Sequence, residues 1–287
     1  MLKVLLCSLG VLGALVVLLA IVSWAAGIAW DQRIKGEVNE LFAGVPGKAN
    51  DSVITESDLE GLPEIVQKWL KNSNVLGKER VRSVRLKQRG VIRAKEGQPW
   101  MPFEAVQYYT VDKPGFIWSV RAKAAPLINL VGRDRYYDGS AHMLIKLLSL
   151  MTVVDGRGDE INQGSLLRFL SEIMWFPTAA LSEYIKWEPV DKDSAKATMS
   201  YKGATASGVF TFSEQGDAIH FVAKRYYSAA DGGYSLETWS GAASDHRGFG
   251  GIRIPAKAEV MWNLETGDFS YWKGEVTEIE YNAPALY

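Results

Sequence analysis

The chain has 287 residues, with 32 Lys and Arg against 33 Asp and Glu, three His and one Cys. A formal charge of −1 argues against a dedicated nucleic-acid binder, which carries a basic excess, and a single Cys excludes an internal disulfide framework and a Cys-rich zinc site. At 47% hydrophobic and 23% charged residues, global disorder is excluded as well.

Charge is absent from Val4 to Trp30, and every charge except Lys3 follows that run. As a helix the run is about 40 Å long, more than the roughly 30 Å hydrocarbon core of a bilayer. Trp24 and Trp30 stand where interfacial aromatics are expected. Residues 1–30 therefore read as a transmembrane anchor. A cleaved signal peptide is the alternative, because Ser23-Trp24-Ala25 and Gly27-Ile28-Ala29 offer small residues at cleavage spacing. The apolar run is nevertheless longer than a usual signal core of about 7–15 residues. Cys7 reads as a small apolar residue of the anchor. Arg33 and Lys35 weakly favour a cytoplasmic flank after the segment. An early segment followed by a large domain instead fits a signal-anchor, and the reading adopted is an extracytoplasmic, periplasmic domain.

Residues 31–56, with Gly44, Pro46, Gly47, Asn50 and Asp51, read as a helix turn followed by a juxtamembrane linker. Leu62 to Leu70 predicts a short amphipathic helix with Leu62, Ile65, Val66, Trp69 and Leu70 on one face and Pro63 in its first turn. From Val84 to Arg93 the apolar period becomes two, which predicts a strand with a basic wet face. Further strands are predicted over 103–111, 115–123, 133–138 and 141–148, with Asp138-Gly139 as a hairpin turn. Asp155-Gly156 and Gly158-Asp159 mark a loop. Gln163 to Phe176 is a helix that is apolar nearly all round, stopped by Pro177, and a second short helix is expected over 178–184. Strands then resume over 185–190, 195–202, 206–213, 218–227, 233–240, 252–263 and 269–281. No boundary divides residues 57–287.

This order predicts a mainly β fold with a helical insert. A large curved antiparallel sheet of this kind has to close or be covered, so the expected architecture is an open half-barrel plugged by helices. Several segments carry a resemblance: Trp100-Met101-Pro102-Phe103, Gly132-Arg133-Asp134-Arg135-Tyr136, Arg168-Phe169-Leu170-Ser171-Glu172, Trp175-Phe176-Pro177-Thr178-Ala179, Tyr234-Ser235-Leu236-Glu237-Thr238-Trp239 and Tyr271-Trp272. Over roughly 60–281 the chain resembles an uncharacterised bacterial family of membrane-anchored proteins, which brings no chemistry with it. In architecture it more distantly resembles the half-barrel of periplasmic lipoprotein carriers and lipid-binding lipoproteins. That resemblance implies an apolar cavity and supplies no residue-by-residue motif.

No cofactor or metal motif stands out. His142, His220 and His246 lack ligand spacing, and Asp155, Asp159 and Glu160 do not form a calcium loop. Asp138-Gly139-Ser140-Ala141-His142 is a hairpin turn and not a nucleophile elbow, and no phosphate loop is present. Glu172, inside an apolar helix, and Glu237, beside Trp239, are the remaining catalytic option, as carboxylates with raised pKa. The structural alternative is an ion pair of Arg168 with Glu172 at i,i+4. The basic run of Lys78, Arg80, Arg82, Arg85, Lys87, Arg89, Arg93 and Lys95 is opposed locally only by Glu79. It reads either as a headgroup-binding face or as a strand paired with the acidic run Glu265, Asp268, Glu275, Glu278 and Glu280, if first and last strands are neighbours.

Phe116, Trp118, Tyr136, Leu170, Trp175, Phe176, Phe210 and Phe212 are expected to converge on the concave side, as core or as the lining of an apolar pocket. Arg168, Glu172 and Glu237 form the polar candidate set. The leading expectation is a non-enzymatic, membrane-anchored module that binds a lipid or other hydrophobic ligand, held to the membrane by residues 4–30. The alternatives are a membrane-anchored hydrolase using Glu172 and Glu237, and an assembly partner with a filled core.

Overall fold

The charge-free run is the first half of a single helix, α1, from Leu2 to Phe42. The computed structural model describes residues 2–45, 53–228 and 232–287. Residues 31–42 continue the helix where one turn and a linker were expected. The reason is a second apolar stripe: Trp30, Ile34, Val38, Leu41 and Phe42 recur at helical spacing and are buried. They pack on Tyr108, Ile117, Val131 and Leu144. Ion pairs flank the stripe: Asp31 with Arg121, Glu37 with Arg133 at 3.0 Å and Glu40 with Arg135 at 2.8 Å. Trp30, expected at a membrane interface, instead belongs to this packed seam, whereas Trp24 is exposed.

Helix α2 (Glu64–Asn72) follows Pro63 directly. Its apolar face is buried, and Trp69 lies against Trp187, Phe210 and Phe212. The predicted period-two segment is β1 (Ser83–Ile92). The chain then builds outward through β2 (Met101–Thr110), β3 (Gly115–Ala125), β4 (Ile128–Tyr137), β5 (Ser140–Leu147) and β6 (Met151–Gly156). Strand β6 occupies the segment expected to be a loop. It is a short, mostly exposed edge strand whose Asp155-Gly156 end imitates turn chemistry.

From that edge the chain crosses the concave face. Helix α3 (Asp159–Glu172) and two 3-10 turns (Ile173–Trp175 and Pro177–Leu181) carry it to the opposite edge. It then returns inward through β7 (Ile185–Pro189), β8 (Ser194–Tyr201), β9 (Ala204–Phe212), β10 (Ala218–Ser228), β11 (Tyr234–Phe249), β12 (Ile252–Leu264) and β13 (Gly267–Tyr281). The described strands form one antiparallel sheet of 13, in the order β6-β5-β4-β3-β2-β1-β13-β12-β11-β10-β9-β8-β7. It is the expected open half-barrel, and α3 touches strands near both edges.

First and last strands are neighbours at the centre of the sheet. Arg85 faces Glu280, Lys87 faces Glu278 and Arg89 faces Glu275, with ion pairs of 2.9, 2.7 and 3.0 Å. Three members of each row thus pair across one seam, whereas Arg80 and Arg82 turn to Asp58 and Asp112. The open side is pinched where two hairpin tips meet. Asp138-Gly139 and Lys202-Gly203 both form turns with positive φ at both residues, and Lys202 Nζ lies 3.0 Å from Asp138.

Gly90 faces Gly274 across the seam, and a Cβ at Gly90 would lie 2.0 Å from the Lys273 carbonyl oxygen. Gly248, also in a strand, has open space around it. Thermal melts should therefore show Gly90→Ala destabilising by about 1–3 kcal/mol, the usual scale for overpacking. Gly248→Ala should be neutral or slightly stabilising.

Candidate functional site

The inner face is filled from the plug outward. Leu166, Leu167, Phe169 and Leu170 of α3 are fully buried, and Phe169 and Phe176 close on Tyr109. A cavity of about 530 Å³ remains between α3 and the sheet. It lies inside the range of roughly 300–1,000 Å³ typical of ligand sites. Its walls are mostly apolar. Trp118, Met174, Trp175 and Phe221 are buried at its floor, whereas Ser228 and Tyr234 are exposed at its mouth. The lining comes from the C-terminal ends of β1, β3, β10 and β12 and the N-terminal ends of β2, β4, β11 and β13. Antiparallel alternation gathers those ends on one side of the sheet.

Of the predicted pocket aromatics, Trp118 and Trp175 reach the cavity wall. Phe116, Tyr136, Leu170, Phe176, Phe210 and Phe212 do not; they are at most 2% exposed and form packed core. Parity put Phe116, Phe210 and Phe212 each on a shared strand face, and the plug and α2 cover that part of the sheet. Trp239, Trp262 and Arg225, which sequence reasoning passed over, line the cavity instead. The signal was available in β10, where Phe221, Ala223 and Arg225 share the inward face.

Arg168 and Glu172 are joined as expected, with Arg168 Nε donating to Glu172 Oε1 at 2.9 Å. Arg168 Nη1 also donates to Asp134 Oδ2 at 2.6 Å. Gln107 Nε2 and the Tyr109 hydroxyl donate to the other Glu172 oxygen at 3.0 and 2.9 Å. Burial disfavours the charge on Arg168, but Glu172 and Asp134 outweigh it and hold its pKa above the ordinary arginine value. The same burial, with Glu172 alongside, raises the Tyr109 hydroxyl well above its usual range. The guanidinium is sandwiched by Phe116 and Trp118, 5.0 and 4.9 Å from the ring centres. Every strong interaction of Glu172 is therefore inward and structural. Glu237 lies opposite Arg225 in the β10–β11 register, outside the cavity wall.

The side chains of two of the three histidines have hydrogen-bond partners. His142 Nε2 lies 2.8 Å from Asp155, His246 Nε2 lies 2.9 Å from the Ala218 carbonyl, and burial lowers the pKa of His142 and of His220. Among the described residues no cluster of three His, Cys, Asp or Glu is placed to hold a metal.

A curved antiparallel sheet, open along one side and stopped by a helix over an apolar interior, defines a half-barrel protein. Residues 52–274 match the family of unknown function DUF6544, and the chain belongs to that family. It is the uncharacterised membership that the sequence motifs implied. No curated protein matches the chain. Among solved structures it is similar to a DUF1329 family protein from Desulfovibrio piger, with 11% identity, 78% of this chain and 92% of that chain covered, and a TM-score of 0.42. A LolA superfamily protein from Nitrosomonas europaea is similar with 10% identity, coverage of 77% and 94%, and a TM-score of 0.42. A β-barrel-like DUF1849 protein from Brucella abortus is similar with 10% identity, coverage of 71% and 99%, and a TM-score of 0.31. At that distance the neighbours say nothing about a ligand.

Removing Arg168 strands two carboxylates in an apolar wall. Arg168→Met should destabilise the chain by about 3–5 kcal/mol, the usual cost of breaking a buried ion pair from one side. Chemical denaturation of the full chain in nonionic detergent measures it. Adding Glu172→Gln should recover part of the loss, because one of the two stranded charges is then gone.

Proposed function

We propose that the protein is a single-pass, membrane-anchored module that takes a lipid or another hydrophobic molecule into the half-barrel cavity. One observation carries this reading: the apolar half of α1 leaves the sheet at the end where the cavity opens. Ser23 Oγ donates to the Leu148 carbonyl in the β5–β6 turn at 2.9 Å, and Asp31 pairs with Arg121 near the end of β3. Glu40 reaches Arg135 toward the far end of β4. The helix therefore runs along the outer wall from the mouth end inward, and its first part projects past the mouth.

That first part is long and apolar enough to cross a membrane. Val4 to Val22 measures about 28 Å at 1.5 Å per residue, close to the roughly 30 Å hydrocarbon core. Its large apolar side chains, such as Val11, Leu15 and Leu19, are exposed. The level at which it would leave the bilayer is marked by exposed Trp24 on the helix, by Leu127 (94% exposed) in the β3–β4 turn and by exposed Met151 at the start of β6. In this arrangement the cavity mouth faces the bilayer, and a ligand moves between membrane and cavity without crossing water. The reading adopted puts the domain on the extracytoplasmic side, as for a signal-anchor whose large following domain is exported.

Catalysis by Glu172 and Glu237 needs two free carboxylates in one cleft, and Glu172 is committed to Arg168, Gln107 and Tyr109. A filled-core assembly partner has no use for a cavity of about 530 Å³.

Native mass spectrometry of the full chain released from detergent should show a retained lipid-sized mass. Ala258 lies on the cavity wall. Ala258→Trp should cut the retained fraction at least tenfold while the far-ultraviolet circular dichroism stays unchanged. Wild-type protein that emerges bare from several detergents would end the proposal. In spheroplasts, a C-terminal tag should be cleaved by added protease, and full protection would reverse the assigned side.

A further inference from the structure

Three arginines reach the cavity wall, each against aromatic rings, and among the described residues only Arg168 is ion-paired. Arg168 lies over Phe116 and Trp118, and its Nε and Nη1 donate to Glu172 and Asp134. Arg225 lies over Trp239 and Trp262, with its guanidinium carbon 4.9 and 5.8 Å from the ring centres. Beyond the strand ladder, no side-chain hydrogen bond or ion pair joins Arg225 to any described residue, including Glu237 opposite it in the strand register. Room for it on the plug side comes from Gly164, where a Cβ would stand 3.3 Å from Arg225 Nε.

We infer that Arg225 is the headgroup site of the cavity, and that the ligand is a single-chain amphiphile with an oxyanion headgroup, a carboxylate or a phosphate; this rests on the cavity reading above. Stacking covers the faces of a guanidinium and leaves its edge donors free. Those donors form a planar fork that fits a carboxylate or phosphate with two parallel bonds. The site is half-buried and walled by indoles, so such bonds are less screened than at an open surface. Of the other cations of the wall, Arg168 is held by Asp134 and Glu172, and Arg93 lies over Trp100 and Phe269 and gives its Nε donor to the Ser270 carbonyl at 2.6 Å. Below Arg225 the cavity runs to Phe221, Met174, Trp175 and Trp118, an apolar floor for one chain. A cationic headgroup would meet Arg225 as a like charge.

The test uses the full chain in phosphatidylcholine nanodiscs, with empty nanodiscs as the blank. An anthroyloxy-labelled stearate and its methyl ester are titrated and the rise in emission is followed. Wild type should bind the acid about tenfold or more tightly than the ester, the scale of a charge-assisted hydrogen bond. Arg225→Gln should remove that preference and leave ester binding unchanged, which also reports an intact cavity. Arg225→Lys should keep part of the preference. Unlabelled oleate and lysophosphatidate, added as competitors, separate the two headgroups: displacement by either sustains the inference, and displacement by neither overturns it. Equal affinity for acid and ester, or an equal loss of both in Arg225→Gln, overturns the role of Arg225 while the cavity reading stands. If neither probe binds wild type, the cavity reading itself fails and takes this one with it.

Discussion

The pairing of β1 with β13 is the contact on which the rest of the domain depends. Without it the chain would be two separate antiparallel sheets, β1–β6 and β7–β13, each with a raw edge at the centre. With it, the two halves become one curved wall, and the sequence between them has to travel from one outer edge to the other. That journey can only cross the mouth of the curve, so the crossover becomes the plug. The cavity is what the crossover leaves unfilled. The seam is suited to this task because it is specified twice, by the rows of opposite charge and by the close approach at Gly90 and Gly274. A register slip of one residue would turn every side chain of β1 to the other face.

The interior is then divided by chemistry as well as by shape. One part is dry core, in which Tyr109, Phe116, Phe169 and Phe176 lock the end of the plug to the first half of the sheet. The Arg168 cluster fixes the rotation of α3, since its partners lie both on the helix itself and on β2 and β4. Buried ion pairs contribute little net stability, but losing one partner is costly, and that asymmetry favours a single helix orientation. The other part, where strand ends of both halves meet Trp239 and Trp262, is the cavity.

Much of the fold was legible in the amino-acid order. Alternation in β1 and the turn dipeptide Asp138-Gly139 each point to one local geometry, and the charge rows offered the seam as one of two readings. Three features were not legible, for physical reasons. Strand β6 is an edge with few buried residues, so it lacks the alternation that marks a half-buried strand. The extension of α1 past Trp30 was masked because a charged surface with a narrow apolar stripe looks like a linker until its partner, the outer face of β2–β5, is known. Parity put Phe210 and Phe212 on one strand face. It could not tell lining from core, because that depends on where α2 and α3 come to rest.

The two edges of the sheet are not laddered to each other. Beyond the plug, they are drawn together at the hairpin tips by Asp138 and Lys202, an exposed ion pair of a kind worth at most about 1 kcal/mol. The opposite wall is continuous strand pairing. The molecule therefore has a hard back and a soft front: resistance to widening is concentrated in the seam, and compliance in the slot between β6 and β7. A bulkier guest would spread that slot and swing the two tips apart long before it stretched the wall, so girth would be tolerated at little cost.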